Sequence, residues 1–184
     1  MLNVPNAITL LRFALVPVIA LQIAQQHDGM AFALFVVSAL SDLADGVVAR
    51  HWKMRTRFGA IADPLADKLT MLTVAMLLAL QGSLPVWFAA AIASRDVLIV
   101  IGVLGYRALI GPLEMAPSML SKFNTVLEFL ALLGALATRA QLVRSGPWMD
   151  ALVLAALATI CLSGAHYVAA GIRMAIRARR ARDA

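Results

Sequence analysis

Charged residues are scarce in this sequence, and cysteine is almost absent. Of the 184 residues, 14% are charged and 62% are hydrophobic. No soluble domain of this length needs so much apolar surface, so the composition favours an integral membrane protein. The single cysteine, Cys161, excludes an internal disulfide, and because it lies in an apolar run we expect it to be a small packing residue.

The N-terminal stretch also lacks the features of a cleaved leader. MLNVPNAITLL has no basic residue before Arg12 and no small-residue cleavage site, so we interpret it as mature sequence. The chain shows no internal repeat, no low-complexity segment and no stretch left over for a separate soluble domain. Residues 1–184 are therefore predicted to form one transmembrane domain.

Six apolar runs follow one another along the chain, and breaks that are mostly marked by Gly and Pro separate them. The predicted spans are 6–25, 29–49, 63–81, 85–106, 121–140 and 148–172. Each is close to the length that crosses about 30 Å of hydrocarbon. Because backbone groups in lipid must be hydrogen-bonded within the protein, we expect an all-α bundle of six transmembrane helices.

Basic residues are distributed unevenly between the two sides of this bundle. With the N-terminus inside, the inner segments carry eleven Lys and Arg residues between positions 50 and 182, and the outer loops carry only Arg139 and Arg144. The positive-inside rule then predicts that both termini are cytoplasmic. We expect the protein to lie in the inner membrane of the cell. The net charge of +6 lies beside the spans, which indicates contact with lipid head groups rather than nucleic acid.

Four aspartates interrupt the second and third spans at their cytoplasmic ends. Asp42 and Asp45 are three residues apart, and Asp63 and Asp67 are four apart, so each pair shares one helix face. The connection between the two helices is short, which predicts that they are antiparallel neighbours. The two acidic faces can therefore meet at one depth.

These carboxylates repel one another and need cations nearby. Lys68 alone is too little, whereas one or two divalent cations such as Mg²⁺, Mn²⁺ or Ca²⁺ suit hard oxygen ligands. Two metals bridged by carboxylates form a site for phosphoryl chemistry. The same residues can instead form a proton or cation pathway, or a salt-bridge cluster with Arg50, Lys68 and Arg95.

Small residues accompany the aspartates. Gly46, Ala49 and Gly59 leave space for a ligand and permit close helix approach, although ordinary helix packing explains glycine here as well. Arg50, eight residues after Asp42, lies at the predicted membrane surface and can hold a phosphate.

The complete spacing over residues 42–67 is D-x2-D-G-x2-A-R-x8-G-x3-D-x3-D. It resembles the signature of the CDP-alcohol phosphatidyltransferases at every fixed position. PNAITLLR at 5–12 resembles the N-terminal segment of that family, and SRD at 94–96 and LSKFNT at 120–125 also have family counterparts.

The resemblance implies six transmembrane helices, a homodimer and a polar cavity open to the cytoplasm. It also implies transfer of a phosphatidyl group from a CDP-linked lipid to an alcohol, with release of CMP. By position, Asp42, Asp45 and Asp63 would bind two divalent cations, Mg²⁺ or Mn²⁺. Asp67 would complete the metal site and act as general base on the acceptor hydroxyl.

The resemblance also assigns residues to the nucleotide. The three small residues would line a cytidine pocket, and Asn6, Thr9 and Arg12 would approach the nucleotide or its phosphates from the first span. Each of the last three has a simpler explanation. Asn6 can be an N-cap, Thr9 can bond to its own helix, and Arg12 can extend to the membrane surface.

The acceptor side is less well specified. Arg95 in the fourth span and Lys122 and Asn124 at the start of the fifth are predicted to bind the acceptor. The alternative for Arg95 is a buried ion pair, for Lys122 anchoring at the head groups, and for Asn124 helix capping. Family enzymes that act on glycerol 3-phosphate usually carry a second arginine in the fourth span and Lys-x-Lys-Thr in the fifth, where this chain has Val103 and Asn124.

Fewer cations suit a phosphodiester acceptor better than a phosphomonoester. We therefore predict transfer from CDP-diacylglycerol to phosphatidylglycerol, as in the cardiolipin synthase branch that the SRD and LSKFNT stretches resemble. Glycerol 3-phosphate, the acceptor in phosphatidylglycerophosphate synthesis, is the alternative. A membrane prenyltransferase or a cation transporter is more distant, since neither explains the small residues and Arg50 together with the aspartates.

Overall fold

The computed structural model describes the backbone of residues 4–51, 57–109 and 119–182, and the side chains of residues 9–42, 62–106 and 119–169 with 171 and 173. Over this part of the chain all regular secondary structure is α-helix, which confirms the predicted class. The helices are α1 (Val4–Ala24), α2 (Asp28–His51), α3 (Arg57–Leu80), α4 (Val86–Leu109), α5 (Met119–Arg139) and α6 (Pro147–Arg182).

Each predicted span coincides with one of these helices, but two helices extend beyond the apolar runs. α3 begins at Arg57, ahead of the predicted start at 63, and α6 continues to Arg182, beyond the predicted end at 172. The apolar pattern marks what lipid can cover, whereas a helix continues as long as its backbone bonds do. Ala and Arg, which dominate the end of α6, both favour the helix.

Within the described residues, three helices are long and apolar enough to cross a membrane. They are Val86–Tyr106 of α4, Met119–Arg139, which is α5, and Pro147–Ala169 of α6. α1 has a shorter apolar part, Thr9–Ala24, among the described residues. α2 and α3 have 24 residues each, but they carry the aspartates. Membrane character is thus confirmed, and the full set of six spans stays a prediction.

α1, α3 and α5 end in the same way. The residues that follow them, Gln26, Gly82 and Gln141, have positive φ angles of 59°, 73° and 60°. The next amide then bonds back to a carbonyl five residues earlier, as in the 2.9 Å bond from His27 N to Gln22 O. This closure satisfies carbonyl groups that a helix end otherwise leaves without a partner.

The helices form two compact units. The first contains α1, α2, α3 and the end of α5 from Leu132, and the second contains α4 from Trp87, α5 up to Ala131, and α6. In the first unit α1 packs against both α2 and α3. The apolar side chains buried there include Ile19, Ile23, Phe35, Val74, Ala75 and Leu78. This packing fixes the start of α1 beside the acidic stretches of α2 and α3.

Candidate active site

Two polar residues of α1, Thr9 and Arg12, lie one helical turn apart in the first unit. A spacing of three residues places them on the same helix face. Both are buried, and the side chain of Arg12 is only 1% exposed. A buried guanidinium is stable only beside anionic or strongly accepting groups, so this face of α1 requires acidic partners.

Three aspartates supply these partners. Arg12 Nη1 lies 2.7 Å from Asp42 Oδ1 and 2.7 Å from Asp67 Oδ1, and Arg12 Nη2 lies 3.2 Å from Asp63 Oδ1. Thr9 Oγ1 donates a 2.5 Å hydrogen bond to Asp63 Oδ1. Carboxylates from α2 and α3 therefore converge on one guanidinium from α1, a group that we call the Arg12 cluster.

The helical spacing correctly predicted that carboxylates of α2 and α3 meet. What it missed is the cation that the three described carboxylates share, which is Arg12. The salt-bridge alternative named Arg50, Lys68 and Arg95 instead. A signal was present in the sequence, because Arg12 follows Thr9 by one turn and is the only charged residue of a mostly apolar helix.

The Arg12 cluster carries an excess of negative charge and is accessible. One guanidinium faces three carboxylates, and those side chains are 37% to 46% exposed although Arg12 is buried. Carboxylate oxygens are the ligands that Mg²⁺ and Mn²⁺ prefer, so the donor set fits such ions. As placed around Arg12, the described side chains form no group of three Asp, Glu, His or Cys that could hold a metal ion.

Six predicted site residues lie in the described helices, but their own side chains are outside the described part of the chain. They are Asn6 of α1, Asp45, Gly46, Ala49 and Arg50 of α2, and Gly59 of α3. Their roles stay predictions.

Arg95 is buried in the second unit. Its Nη1 lies 2.7 Å from Asp96 Oδ1, and its Nη2 donates to Ser121 Oγ of α5. The ion pair thus joins neighbours on one helix rather than two helices, and the contact between helices goes through Ser121. Within the described part of the chain, the buried Arg95 Nε has no hydrogen-bond partner. A ligand oxygen would satisfy this donor.

Asn124 shares the buried face of α5 with Ser121. Asn124 Nδ2 donates to Glu128 Oε1 at 2.6 Å, and Thr159 Oγ1 of α6 donates to Asn124 Oδ1 at 2.8 Å. Lys122, two residues from Asn124, is exposed because such spacing places it on another side of the helix. The structure therefore brings Arg95 and Asn124 to one face of α5, but not Lys122.

Glu128 and Thr159 were not among the predicted site residues. The only sequence signal for Glu128 is a carboxylate inside an apolar helix, one turn after Asn124. Thr159 has no signal of its own, since a threonine in a membrane helix commonly bonds to its own backbone, and Thr159 Oγ1 also lies 2.8 Å from Ala156 O.

Helices able to cross a membrane and a cluster of acidic side chains around a buried arginine define a membrane protein with a polar site. Comparison with known proteins gives the family. The sequence model of the CDP-alcohol phosphatidyltransferases matches residues 2–162, so the chain belongs to this family.

Named relatives are similar over most of the chain. The human cardiolipin synthase (CMP-forming) is 31% identical over 151 residues, which cover 73% of this chain and 50% of the relative. The Schizosaccharomyces pombe cardiolipin synthase (CMP-forming) / mitochondrial hydrolase fusion protein is 34% identical over 151 residues, which cover 74% of this chain and 25% of the relative. The Pectobacterium atrosepticum CDP-diacylglycerol–glycerol-3-phosphate 3-phosphatidyltransferase is 36% identical over 164 residues, covering 85% and 88%.

The chain spans about half or less of the length of the cardiolipin synthase relatives. The predicted family is confirmed. The relatives carry two different enzyme names, cardiolipin synthase and CDP-diacylglycerol–glycerol-3-phosphate 3-phosphatidyltransferase, so similarity alone leaves the acceptor open.

Proposed function

We propose that this protein transfers a phosphatidyl group from CDP-diacylglycerol to the hydroxyl of a glycerol-type acceptor and releases CMP. The observation that carries this proposal is the Arg12 cluster, in which carboxylates of two helices converge beside a buried guanidinium in a chain of this family. The favoured acceptor is phosphatidylglycerol, and glycerol 3-phosphate is the alternative.

The reaction needs a base, because an alcohol is a poor nucleophile at neutral pH. We assign this role to Asp67, which takes the proton of the acceptor hydroxyl as its oxygen attacks. That oxygen bonds to the phosphorus of the phosphatidyl group. The bond from this phosphorus to the CMP oxygen breaks, and CMP leaves with the electron pair. The 46% exposure of the Asp67 side chain leaves it accessible to an acceptor.

Asp42, Asp45, Asp63 and Asp67 would hold two divalent cations, Mg²⁺ or Mn²⁺. When bound, such ions supply positive charge that stabilises the diphosphate and the leaving CMP. The excess of carboxylates over guanidinium in the Arg12 cluster supports this assignment. Because Arg12 contacts the three described carboxylates, its guanidinium would have to give up some of these contacts, and it could then bind a phosphate of the donor.

The remaining donor contacts and the setting of the enzyme belong to the same proposal. The residues proposed to contact the CDP-lipid besides Arg12 are Asn6, Thr9, Gly46, Ala49, Arg50 and Gly59. We further propose six spans in the inner membrane, a cavity and both termini on the cytoplasmic side, and a homodimer. The three described helices that are able to cross a membrane support the membrane location.

The preference for phosphatidylglycerol is supported by the charge around Arg95. Its ion pair with Asp96 leaves this pair with no net charge. A site of low positive charge favours a phosphodiester over a phosphomonoester, which carries almost twice the negative charge. Arg95 would bind the acceptor through Nε, and the exposed Lys122 would contribute long-range attraction at the head groups.

The test uses the purified full chain in detergent with CDP-diacylglycerol and Mg²⁺ or Mn²⁺. Phosphatidylglycerol or glycerol 3-phosphate is added, and the lipid products are identified by mass. We expect CMP and cardiolipin with the first acceptor, and no product after chelation with EDTA. Phosphatidylglycerophosphate as the main product would select the alternative acceptor, and absence of CMP release with both acceptors would refute the proposed function.

A further inference from the structure

The second unit contains two consecutive hydrogen bonds that link Thr159 of α6, a half-buried residue, to two buried side chains of α5. Thr159 Oγ1 donates to Asn124 Oδ1, and Asn124 Nδ2 donates to Glu128 Oε1. Asn124 and Glu128 are both fully buried. α5 is one of the helices able to cross a membrane, and a carboxyl group inside such a helix is costly and is usually functional.

The bond from Thr159 to Asn124 joins α6 to α5, and the bond from Asn124 to Glu128, within α5, orients the Asn124 amide. A buried amide and a buried carboxyl group lose free energy if their partners are lost, so this arrangement disfavours a rotation or a slip of α5 by even one residue. Ser121 lies on the same face of α5, one turn before Asn124, and accepts the hydrogen bond from Arg95. The position of Ser121, and so that of the Arg95 guanidinium, depends on the orientation of α5.

We propose that Glu128 is a positioning residue for acceptor binding. Glu128 holds the side chain of Asn124, and the orientation of α5 that results maintains the contact between Ser121 and Arg95. This inference rests on the proposed function, since Arg95 matters to the acceptor only if the chain uses one. In this arrangement Asn124 Nδ2 donates to Glu128 and Asn124 Oδ1 accepts from Thr159, so Asn124 need not contact the acceptor itself.

The test uses the complementarity of the Asn124–Glu128 pair. Asn124→Asp removes the amide donor and places a second carboxyl group against Glu128, so the native bond is lost and the two groups either repel each other or have to take up a proton. Adding Glu128→Gln restores a bond with the donor direction reversed, because Gln Nε2 can donate to the new carboxylate, which still accepts from Thr159. Thr159→Val removes the hydrogen bond from Thr159 to Asn124 at nearly constant side-chain volume.

The readouts are the KM for phosphatidylglycerol, the KM for CDP-diacylglycerol and the Tm of each purified variant. For Asn124→Asp we expect the acceptor KM to rise by about tenfold, the size of effect that one lost buried hydrogen bond gives, with little change in the donor KM. Ser121→Ala should show the same selective rise. The double variant should return the acceptor KM to within about twofold of the wild type.

The matched control is Thr138→Val on the same helix, whose hydroxyl bonds only to its own backbone at Gly134 O, 2.9 Å away. It should leave both KM values unchanged. A double variant that regains its Tm but not its acceptor KM would overturn the proposal, because Asn124 would then contact the acceptor directly. Equal rises of both KM values would overturn it too. If the wild type releases no CMP, the proposed function fails, whereas recovery of Tm in the double variant still tests the hydrogen bond.

Discussion

Arg12 and Arg139 both join helices of the first unit, but their partners differ. Arg12 faces three carboxylates. Arg139, at the end of α5, pairs with a single carboxylate, Asp28, at 2.7 Å, and its Nη1 donates to the neutral side chains of Gln81 and Ser83. Both arginines are largely buried, with exposed fractions of 1% and 14%.

The difference separates a site from a structural contact. Around Arg139 one positive charge meets one negative charge, and Gln81 Nε2 extends the contact to Ile23 O of α1. Such a balanced group stabilises the packing of helix ends and needs no further ion. The Arg12 cluster is unbalanced and accessible, as expected for the cation and phosphate site that we propose there. Along α2 the two groups are about 21 Å apart, at 1.5 Å for each residue from Asp28 to Asp42.

The largest effect is expected for Asp67→Asn. The amide cannot take the proton of the acceptor hydroxyl, so kcat should fall by about 10²–10⁴-fold, the usual contribution of a general base. Binding of CDP-diacylglycerol should change far less than kcat, because the other carboxylates and Arg12 remain to hold the cations and the donor. CMP release and binding of labelled CDP-lipid measure the two effects. A variant that turns over at the wild-type rate would rule out Asp67 as the base.

Asp42→Asn should weaken metal and donor binding together. Loss of groups that merely support a ligand costs about 10–100-fold in metal affinity, so loss of a ligand should cost at least about tenfold. Titration of CMP release with Mg²⁺ and with Mn²⁺ gives the metal affinity, and the KM for CDP-diacylglycerol gives the donor effect. An unchanged titration curve would count against Asp42 as a ligand.

Arg12→Gln should have opposite effects on the two ligands. It removes a cation that contacts the carboxylates, so Mg²⁺ should bind more tightly and raise the Tm more than it does in the wild type. It also removes a proposed contact to the donor phosphate, so the KM for CDP-diacylglycerol should rise by about tenfold or more. Weaker metal binding would show that Arg12 supports the metal site rather than competing with it.

Arg139→Gln is the matched substitution at the balanced group. Because the half-buried Asp28 would lose its ion-pair partner, the free energy of unfolding should fall by about 1–3 kcal/mol. The kcat of the folded enzyme and its Mg²⁺ titration should not change, since the Arg12 cluster lies far along the same helices. Thermal unfolding in detergent and CMP release test both statements. A selective loss of metal affinity would contradict the separation of the two groups.

The sequence predicted much of the fold because the physics of the bilayer is simple. Apolar length and the need for internal backbone bonds gave six helices in the right places. The spacing of Asp42, Asp63 and Asp67 correctly predicted that acidic faces of α2 and α3 meet. The start of α3 and the C-terminal end of α6 were missed, since charged residues end an apolar run without ending a helix.

Other contacts join residues that no local pattern connects. Arg139 and Asp28 are 111 positions apart, and Thr159 is 35 positions from Asn124. The spacing of Ser121, Asn124 and Glu128 shows that they share a face of α5, but not that α4 and α6 supply Arg95 and Thr159 to that face. Likewise, Lys122 looked suitable for the acceptor, yet its exposed position differs from that of Asn124.

By itself, the sequence determined the helical class, the membrane character and the spacing that puts the aspartates on shared helix faces. These follow from side-chain chemistry and from the 3.6-residue period, which act within one helix. Only the tertiary structure decided that Arg12 is the shared cation of the three carboxylates and that Thr159 of α6 donates to Asn124 of α5. Such pairings depend on the rotation and the axial position of each helix against its neighbours, and these are set by the packing of all the side chains between them.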